Sequence, residues 1–289
     1  MITEDEERAG GAVRDLTGAH LEGAALDGIN LAGAVLQGAR LCGAALAHAD
    51  LSGAMLVDAD LREANLSGAD LTGVNLTGAR LEGAVLTGAS LNEALLRQTL
   101  LRKANLQAAR LVEARLDGCD FSAVLLGGAS LNQVRGLDCD FSGTELNHAV
   151  FYGAVLSGCR FGSGTGAHAN FSAARLDGCD FRRTILEEAN FYRARITRML
   201  CYRTVFGGCN FEEAALAGVE WGSVDLSGSR FRGAELSAAD LRGADLHACR
   251  GLTAAQLMNA RTDSMTVLPN GVSGPYLLGT GAEHPGARR

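Results

Sequence analysis

Four cysteines, Cys119, Cys139, Cys159 and Cys179, recur at intervals of 20 residues, and His148 and His168 share that interval. Thiols and imidazoles ligate metals, form disulfides or attack electrophiles, so their regular spacing raises the question of chemistry. A structural zinc site takes four ligands, and two histidines without a third ligand do not make one. The four cysteines occupy a position that elsewhere holds mostly Ala, with some Val, Thr and Ser. Small thiols packed in a core are therefore the favoured reading. Cys42 stands outside that column and is the thiol expected to react. The sequence contains no G-x-S-x-G, no P-loop, no dinucleotide fingerprint and no C-x-x-C. No catalytic residue, cofactor or metal is expected.

Charged residues offer the other chemistry. The net charge of −7 argues against a general nucleic-acid binder. Residues 1–95 carry a net −9, residues 96–252 a net +1 and the remainder a net +1. Within the middle stretch the charges fall in columns 20 residues apart. Arg115, Arg135, Arg175 and Arg195 form one column, interrupted by Val155. Asp120, Asp140, Asp180 and Asp240 form the next, with Glu220 in it and Arg160 interrupting. The simplest expectation is that these two stripes pair with each other and keep the molecule soluble. The competing one is a partner-binding surface. Its candidates are acidic Asp50, Asp58, Asp60 and Asp70, and basic, aromatic Arg175, Arg183, Tyr192, Arg193, Arg195 and Arg203.

The elements that position these residues follow from a repeat of five. Counting in fives from Leu16 to Leu246 gives 47 positions, of which 44 are Leu, Ile, Phe or Trp. Gly136, Gly166 and Cys201 are the exceptions. A second series of 47 positions, from Ala19 to Cys249, falls two residues before the large ones; 28 are Ala, and all but Ile29 and Met199 are small or modest in size. A period of five fits neither the helical 3.6 nor the strand's 2. One large and one small side chain point inward in each unit, and three positions stay outside. Rarer residues show the longer period. Phe121, Phe141, Phe161 and Phe181 step by 20, and Phe151, Phe171, Phe191, Phe211 and Phe231 do the same, offset by 10. Two aromatic walls facing each other between aliphatic walls would fill a narrow core without voids.

The units ANLSG, ADLTG, ADLRG and ANFYR resemble the pentapeptide-repeat family, whose motif is A-(D/N)-L-X-X. The resemblance covers roughly residues 14–250. It implies an all-β fold, a right-handed quadrilateral parallel β-helix with four pentapeptides per coil and about 12 coils here. It also implies a filled rod with no substrate cavity.

Open coil ends need covers. Residues 1–13 form an N-terminal segment in which Thr3 and Glu6 suggest a short capped helix. The β-helix spans 14–251. Over 252–262 the run LTAAQLMNAR predicts a capping helix, with Thr253 and Gln256 as capping box and Leu252 and Leu257 as hydrophobic staple. Residues 263–289 form a tail expected to be partly disordered, whose Tyr276, Leu277 and Leu278 permit a homodimer. The stretch FGSGTGAHAN is read either as a loop over 162–170 or as a tolerated defect in the rod.

These residues favour a non-enzymatic interaction or scaffold protein with a protein partner. It is expected in the cytoplasm, because the acidic start is no signal peptide and no apolar run spans a membrane. Neither membrane binding nor direct nucleic-acid binding is expected. The alternative is what the resemblance implies. Some members mimic DNA, bind DNA gyrase or topoisomerase IV, and protect against topoisomerase poisons.

Overall fold

A computed structural model describes residues 14–286. The expected Thr3–Glu6 helix lies outside the described residues. From Asp15↔Val35 to Arg230↔Arg250, the parallel bridges join residues 20 apart, so one coil is four pentapeptides. The large and small inward residues are buried from Leu31 onward, and they form one continuous core. The fold is a quadrilateral parallel β-helix.

Each pentapeptide turns a corner. In Leu36–Ala39 the Ala39 amide donates to the Leu36 carbonyl at 3.0 Å, closing a β-turn with Gly38 at φ +64°. This turn type needs a positive φ at its third residue, which Gly adopts freely. Between corners the amides bond across coils. Leu36 donates to Met55, and Asp60 donates to Ala39. On one face, three consecutive residues pair in each of four coils. These strands are β1 (Arg135–Leu137), β2 (Val155–Ser157), β3 (Arg175–Asp177) and β4 (Arg195–Thr197), in the order β1-β2-β3-β4.

The aromatic walls form as the spacing predicts. Phe rings stack within each column, with centroids 4.5 Å apart for Phe161–Phe181 and 5.2 Å for Phe171–Phe191. Across the core they meet edge to face, as in Phe141–Phe151 at 6.1 Å. Both geometries suit the ring quadrupole. The three exceptional positions are absorbed by their neighbours. A Cβ on Gly166 would lie 2.8 Å from Leu186 Cδ2 and 3.3 Å from Leu146 Cβ. A Cβ on Gly136 would lie 3.0 Å from Cys139 Sγ and 3.1 Å from Leu156 Cδ2. The leucines have filled the space, so FGSGTGAHAN runs through the coil without bulging. Cys201 is followed one coil later by Trp221. Its indole packs edge to face on Phe206 and Phe211, which belong to the coil of Cys201.

Most buried polar groups at the small inward position share one solution; Thr144 instead donates to the Phe141 carbonyl of its own turn, at 2.7 Å. Thr99, Thr184, Thr204 and Ser229 donate their hydroxyls to the carbonyl 23 residues earlier, at 2.6–2.9 Å. Cys209 and Cys249 do the same through Sγ. A satisfied hydroxyl or thiol costs little in a core. Trp221 Nε1 is buried without a partner among the described residues.

Helix α1 (Ala254–Asn259) follows, with Thr253 as N-cap and the full Thr253–Gln256 capping box. Gln256 Nε2 also donates to the Phe231 and Ala234 carbonyls, at 3.0 and 2.8 Å, which ties the helix to the last complete coils. Inserting the helix shifts the register. Asp240 bridges Arg261 and Asp245 bridges Val267, instead of residues 20 further on. The start of the tail packs on the end of the rod, where the Thr266 hydroxyl donates to the Leu241 carbonyl at 3.0 Å. There Leu268, Tyr276 and Ala282 are buried, and Val267 pairs antiparallel with Ser273.

Candidate interaction surface

Because the inside of the rod is filled, side chains available for recognition lie on four outer columns and four corners. In the sheet β1–β4 the arginine column runs along the first residue of each strand, with Val155 in its place on β2, and continues to Arg115 one coil before β1. Arg115 bridges Arg135, Arg135 bridges Val155, Val155 bridges Arg175 and Arg175 bridges Arg195. All four arginines are exposed. None of them makes an ion pair among the described residues.

The expected pairing of the arginine stripe with the aspartate stripe does not occur. Asp140 takes Arg160 of its own column at 2.9 Å, Asp180 takes Arg182 at 2.6 Å, and Asp240 takes Arg242. The two stripes sit five residues apart and therefore on adjacent faces. A corner turns between them and their side chains point away from each other. Asp180 and Asp240 instead reach the arginine two residues on, whose backbone amide they already accept. Arg182 N and Arg242 N donate to Asp180 and Asp240 at 2.9 and 3.1 Å.

The candidate residues separate into different places. Arg175 and Arg195 stand side by side on the β1–β4 face. Tyr192 and Arg193 occupy the corner that leads into it, and the Arg193 guanidinium lies 4.9 Å from the Tyr192 ring centroid. Arg193 also pairs with Glu213 at 2.7 Å. Arg183 and Arg203 belong to another corner, beyond the aspartate stripe, where Arg203 covers Tyr202 at 5.2 Å. Asp50 and Asp70 bridge each other on a third face. Asp58 sits on a corner, and Asp60 is bound by Arg62. The Arg62 guanidinium holds the Asp60 carboxyl below its ordinary range, and Arg198 does the same for Asp177. The four acidic candidates thus do not form one continuous patch.

Arg102 and Lys103, which share corner columns with Arg182 and Arg183, were not among the candidates. Arg102 lines one open groove with Ser122, Ser142, Gly162, Arg183 and Tyr202. Counting the corner positions by 20 would have found them, since 102, 182 and 202 share one column and 103, 183 and 203 the next.

The cysteine and histidine columns carry little chemistry. Cys119, Cys139, Cys159 and Cys179 are free, buried thiols. Burial pushes the Cys119 and Cys201 thiols up to about 12. Cys42 is half-buried and is the most accessible of the eight. His148 and His168 stack with centroids 5.0 Å apart, and His168 Nδ1 lies 3.5 Å from Glu188. No group of three potential metal ligands is present among the described residues. No helix among them is long and apolar enough to cross a membrane.

Family models described as "Pentapeptide repeats" match residues 15–195 and 209–247, more than half of the chain. No curated protein matches the sequence. Solved structures similar to it include HetL, a pentapeptide repeat protein involved in heterocyst differentiation regulation from the cyanobacterium Nostoc sp. strain PCC 7120. HetL is 25% identical over 86% of this chain and 94% of its own, with a TM-score of 0.27. A trypsin-treated form of QnrB1, a plasmid-mediated fluoroquinolone resistance protein, is 16% identical over 78% of this chain and 89% of its own, with a TM-score of 0.25. Rfr23, from the cyanobacterium Cyanothece 51142, is 21% identical over 46% of this chain and 89% of its own, with a TM-score of 0.15. Superpositions at these scores add nothing to the family match.

Proposed function

The chain belongs to the pentapeptide-repeat family, and from that premise we propose that it is a non-enzymatic interaction or scaffold protein with a protein partner. One observation carries the reading. The inward side chains are sealed from solvent from Leu31 onward, while four arginines on one flat face make no ion pair among the described residues. A rod that buries its interior has only its faces to offer, and regular flat faces suit a protein partner better than a small substrate. The test is affinity purification of the full chain from its native host after cross-linking. Recovery of a partner whose cross-links map to the rod supports the reading. A hydrolytic or transferase activity that copurifies with the chain and is lost on a single surface substitution would overturn it.

A second reading is a DNA mimic that binds DNA gyrase or topoisomerase IV. It is favoured by the net −9 of residues 1–95 and by the Asp50↔Asp70 pair on one face. The unpaired arginines weigh against it. A gyrase supercoiling assay with and without a fluoroquinolone decides. Protection at micromolar protein, lost in Asp50→Lys/Asp70→Lys, supports mimicry, and no effect at large excess removes it.

The C-terminal end is the proposed homodimer contact. Met258, Met265, Val272, Leu277 and Leu278 are all exposed there. Sedimentation equilibrium should show a dimer that Leu277→Asp/Leu278→Asp dissociates.

A further inference from the structure

We propose that the β1–β4 face is the docking surface for an acidic α-helix of a partner protein, laid along the rod axis over Arg115, Arg135, Arg175 and Arg195. The proposal rests on the reading of the rod as a protein-binding scaffold. It begins from an unresolved repulsion. Arg115 and Arg135 stand directly opposite on adjacent coils, and so do Arg175 and Arg195. Like charges in direct cross-strand register destabilise a sheet unless something neutralises them. The carboxylates bordering the upper half of the face are already engaged. Asp177 takes Arg198 and the Thr197 hydroxyl, and Glu213 takes Arg193 and the Tyr192 hydroxyl. At the lower end Asp117 takes Arg97 at 3.5 Å. Glu113, Asp138 and, two coils beyond Arg195 in the same column, Glu235 make no ion pair among the described residues, and three do not balance four arginines. Guanidinium groups held on a rigid sheet are well placed to receive carboxylates.

Spacing selects the form of the partner. Stacked coils repeat at about 4.8 Å, so the four steps from Arg115 to Arg195 span roughly 19 Å. A helix presents one face every turn of about 5.4 Å, and over four turns drifts about 2.4 Å from the ladder, within reach of arginine side chains. A strand presents one face every two residues, about 6.6 Å, and drifts about 7 Å over the same count. The helix therefore fits, and about 13 residues cover the ladder. The middle of the ladder is apolar. Val155 interrupts it, with Leu137 on β1 and Tyr152 on the preceding corner, and these three are 41%, 51% and 49% exposed. Tyr152 and Val155 line one groove with Arg115 and Arg135. A helix with carboxylates towards both ends and one apolar residue at its centre matches this order of charge, apolar gap and charge. A nucleic-acid backbone would set phosphate against the gap, and the net −6 of residues 14–95 on the same rod repels a long polyanion.

The test uses the full chain and a fluorescein-labelled 14-residue peptide with glutamates one helical turn apart on one face and Leu at its centre. Fluorescence anisotropy is read for the native sequence, for Arg135→Glu/Arg175→Glu, and for the fourfold Arg→Gln variant at 115, 135, 175 and 195. Circular dichroism checks that each variant keeps the fold; the Gln variant removes charge without reversing it. We expect saturable binding that weakens at least tenfold in both variants. A peptide of identical composition with its glutamates spread around the helix should bind at least fivefold more weakly. Equal affinity across the three proteins overturns the proposal. So does a 20-base-pair DNA duplex that binds more tightly than the peptide and loses its affinity in the same variants. Affinity purification with the Gln variant separates this inference from the scaffold reading. A native partner retained equally by both forms keeps the scaffold and overturns the ladder. No partner with either form overturns both. A partner lost only with the variant supports both.

Discussion

The coils before residue 100 and those from Arg115 to Arg203 share one backbone and differ in nearly everything attached to it. The early coils stack Leu on Leu, turn their corners mainly on Gly, and carry net negative charge. The later coils stack Phe on Phe and display the arginine column. Arg183, Arg193, Arg198 and Arg203 sit at corners where φ is positive. Yet the inter-coil amide bonds are alike. Leu66 N to Val85 O and Phe161 N to Asp180 O both measure 2.7 Å. Backbone hydrogen bonding and a five-residue pattern therefore hold the rod together, and core filling and surface charge vary independently on top of it. Non-glycine residues in the left-handed region cost roughly 1–2 kcal/mol each. The later coils bear that strain, which is a physical reason to look for function there.

The largest effect that separates the two regions should come from the core. Phe161→Ala removes a ring stacked on both neighbours and edge-on to the facing wall, and should cost about 3–5 kcal/mol. Guanidinium denaturation and hydrogen exchange should show the loss confined to the coils around it, because each coil contacts only its neighbours. An equal loss of protection in the leucine coils would break the comparison. Next is Gly166→Leu, which restores the motif on paper. With Leu186 and Leu146 already in the space, it should destabilise by about 1–3 kcal/mol through overpacking. A stabilised Gly166→Leu would mean that a void exists there.

Corner strain gives a smaller effect of opposite sign. Arg183 has φ +61° and no ion pair among the described residues. Arg183→Gly should stabilise the rod by up to about 1 kcal/mol by thermal denaturation. Smaller again is charge relief on the arginine face. Arg175→Gln should raise stability by roughly 0.2–1 kcal/mol at low salt and by nothing measurable at about 1 M salt. The smallest effect is titration of the aspartate clamps. Hydrogen bonds from Arg62 and Arg242 hold Asp60 and Asp240 below 3.8. A depressed carboxyl stabilises the fold above its unfolded pKa and loses that contribution as pH falls through the folded one. The melting temperature should therefore hold above about pH 4 and decline below it. Asp60→Asn should flatten the decline in the early coils and Asp240→Asn in the late ones.

Much of this was legible in the residues. The five-residue period identified every inward side chain, the 20-residue recurrence of Phe identified the coil and its facing walls, and Thr253 and Gln256 marked the capping box. Other features were not. Whether Gly166 opened a loop depended on whether Leu186 could move into the space, which is a matter of packing in the next coil. Arg160 looked like an interruption of the aspartate stripe and is instead a partner for Asp140. The candidate surface was the least legible part. Arg175 and Arg195 belong together, whereas Arg183 and Arg203 lie around two corners.

Sequence alone determined which side chains face inward, because a period of five repeated without a slip leaves each column a single fate. Tertiary structure decided which charges meet. Adjacent faces of a square section point away from each other, so an aspartate and an arginine five residues apart stay strangers, while Asp60, Asp180 and Asp240 meet the arginine two residues on and Asp140 meets the one 20 away. The same geometry leaves Arg115, Arg135, Arg175 and Arg195 on one face without an ion pair among the described residues, and only the folded coil places them there.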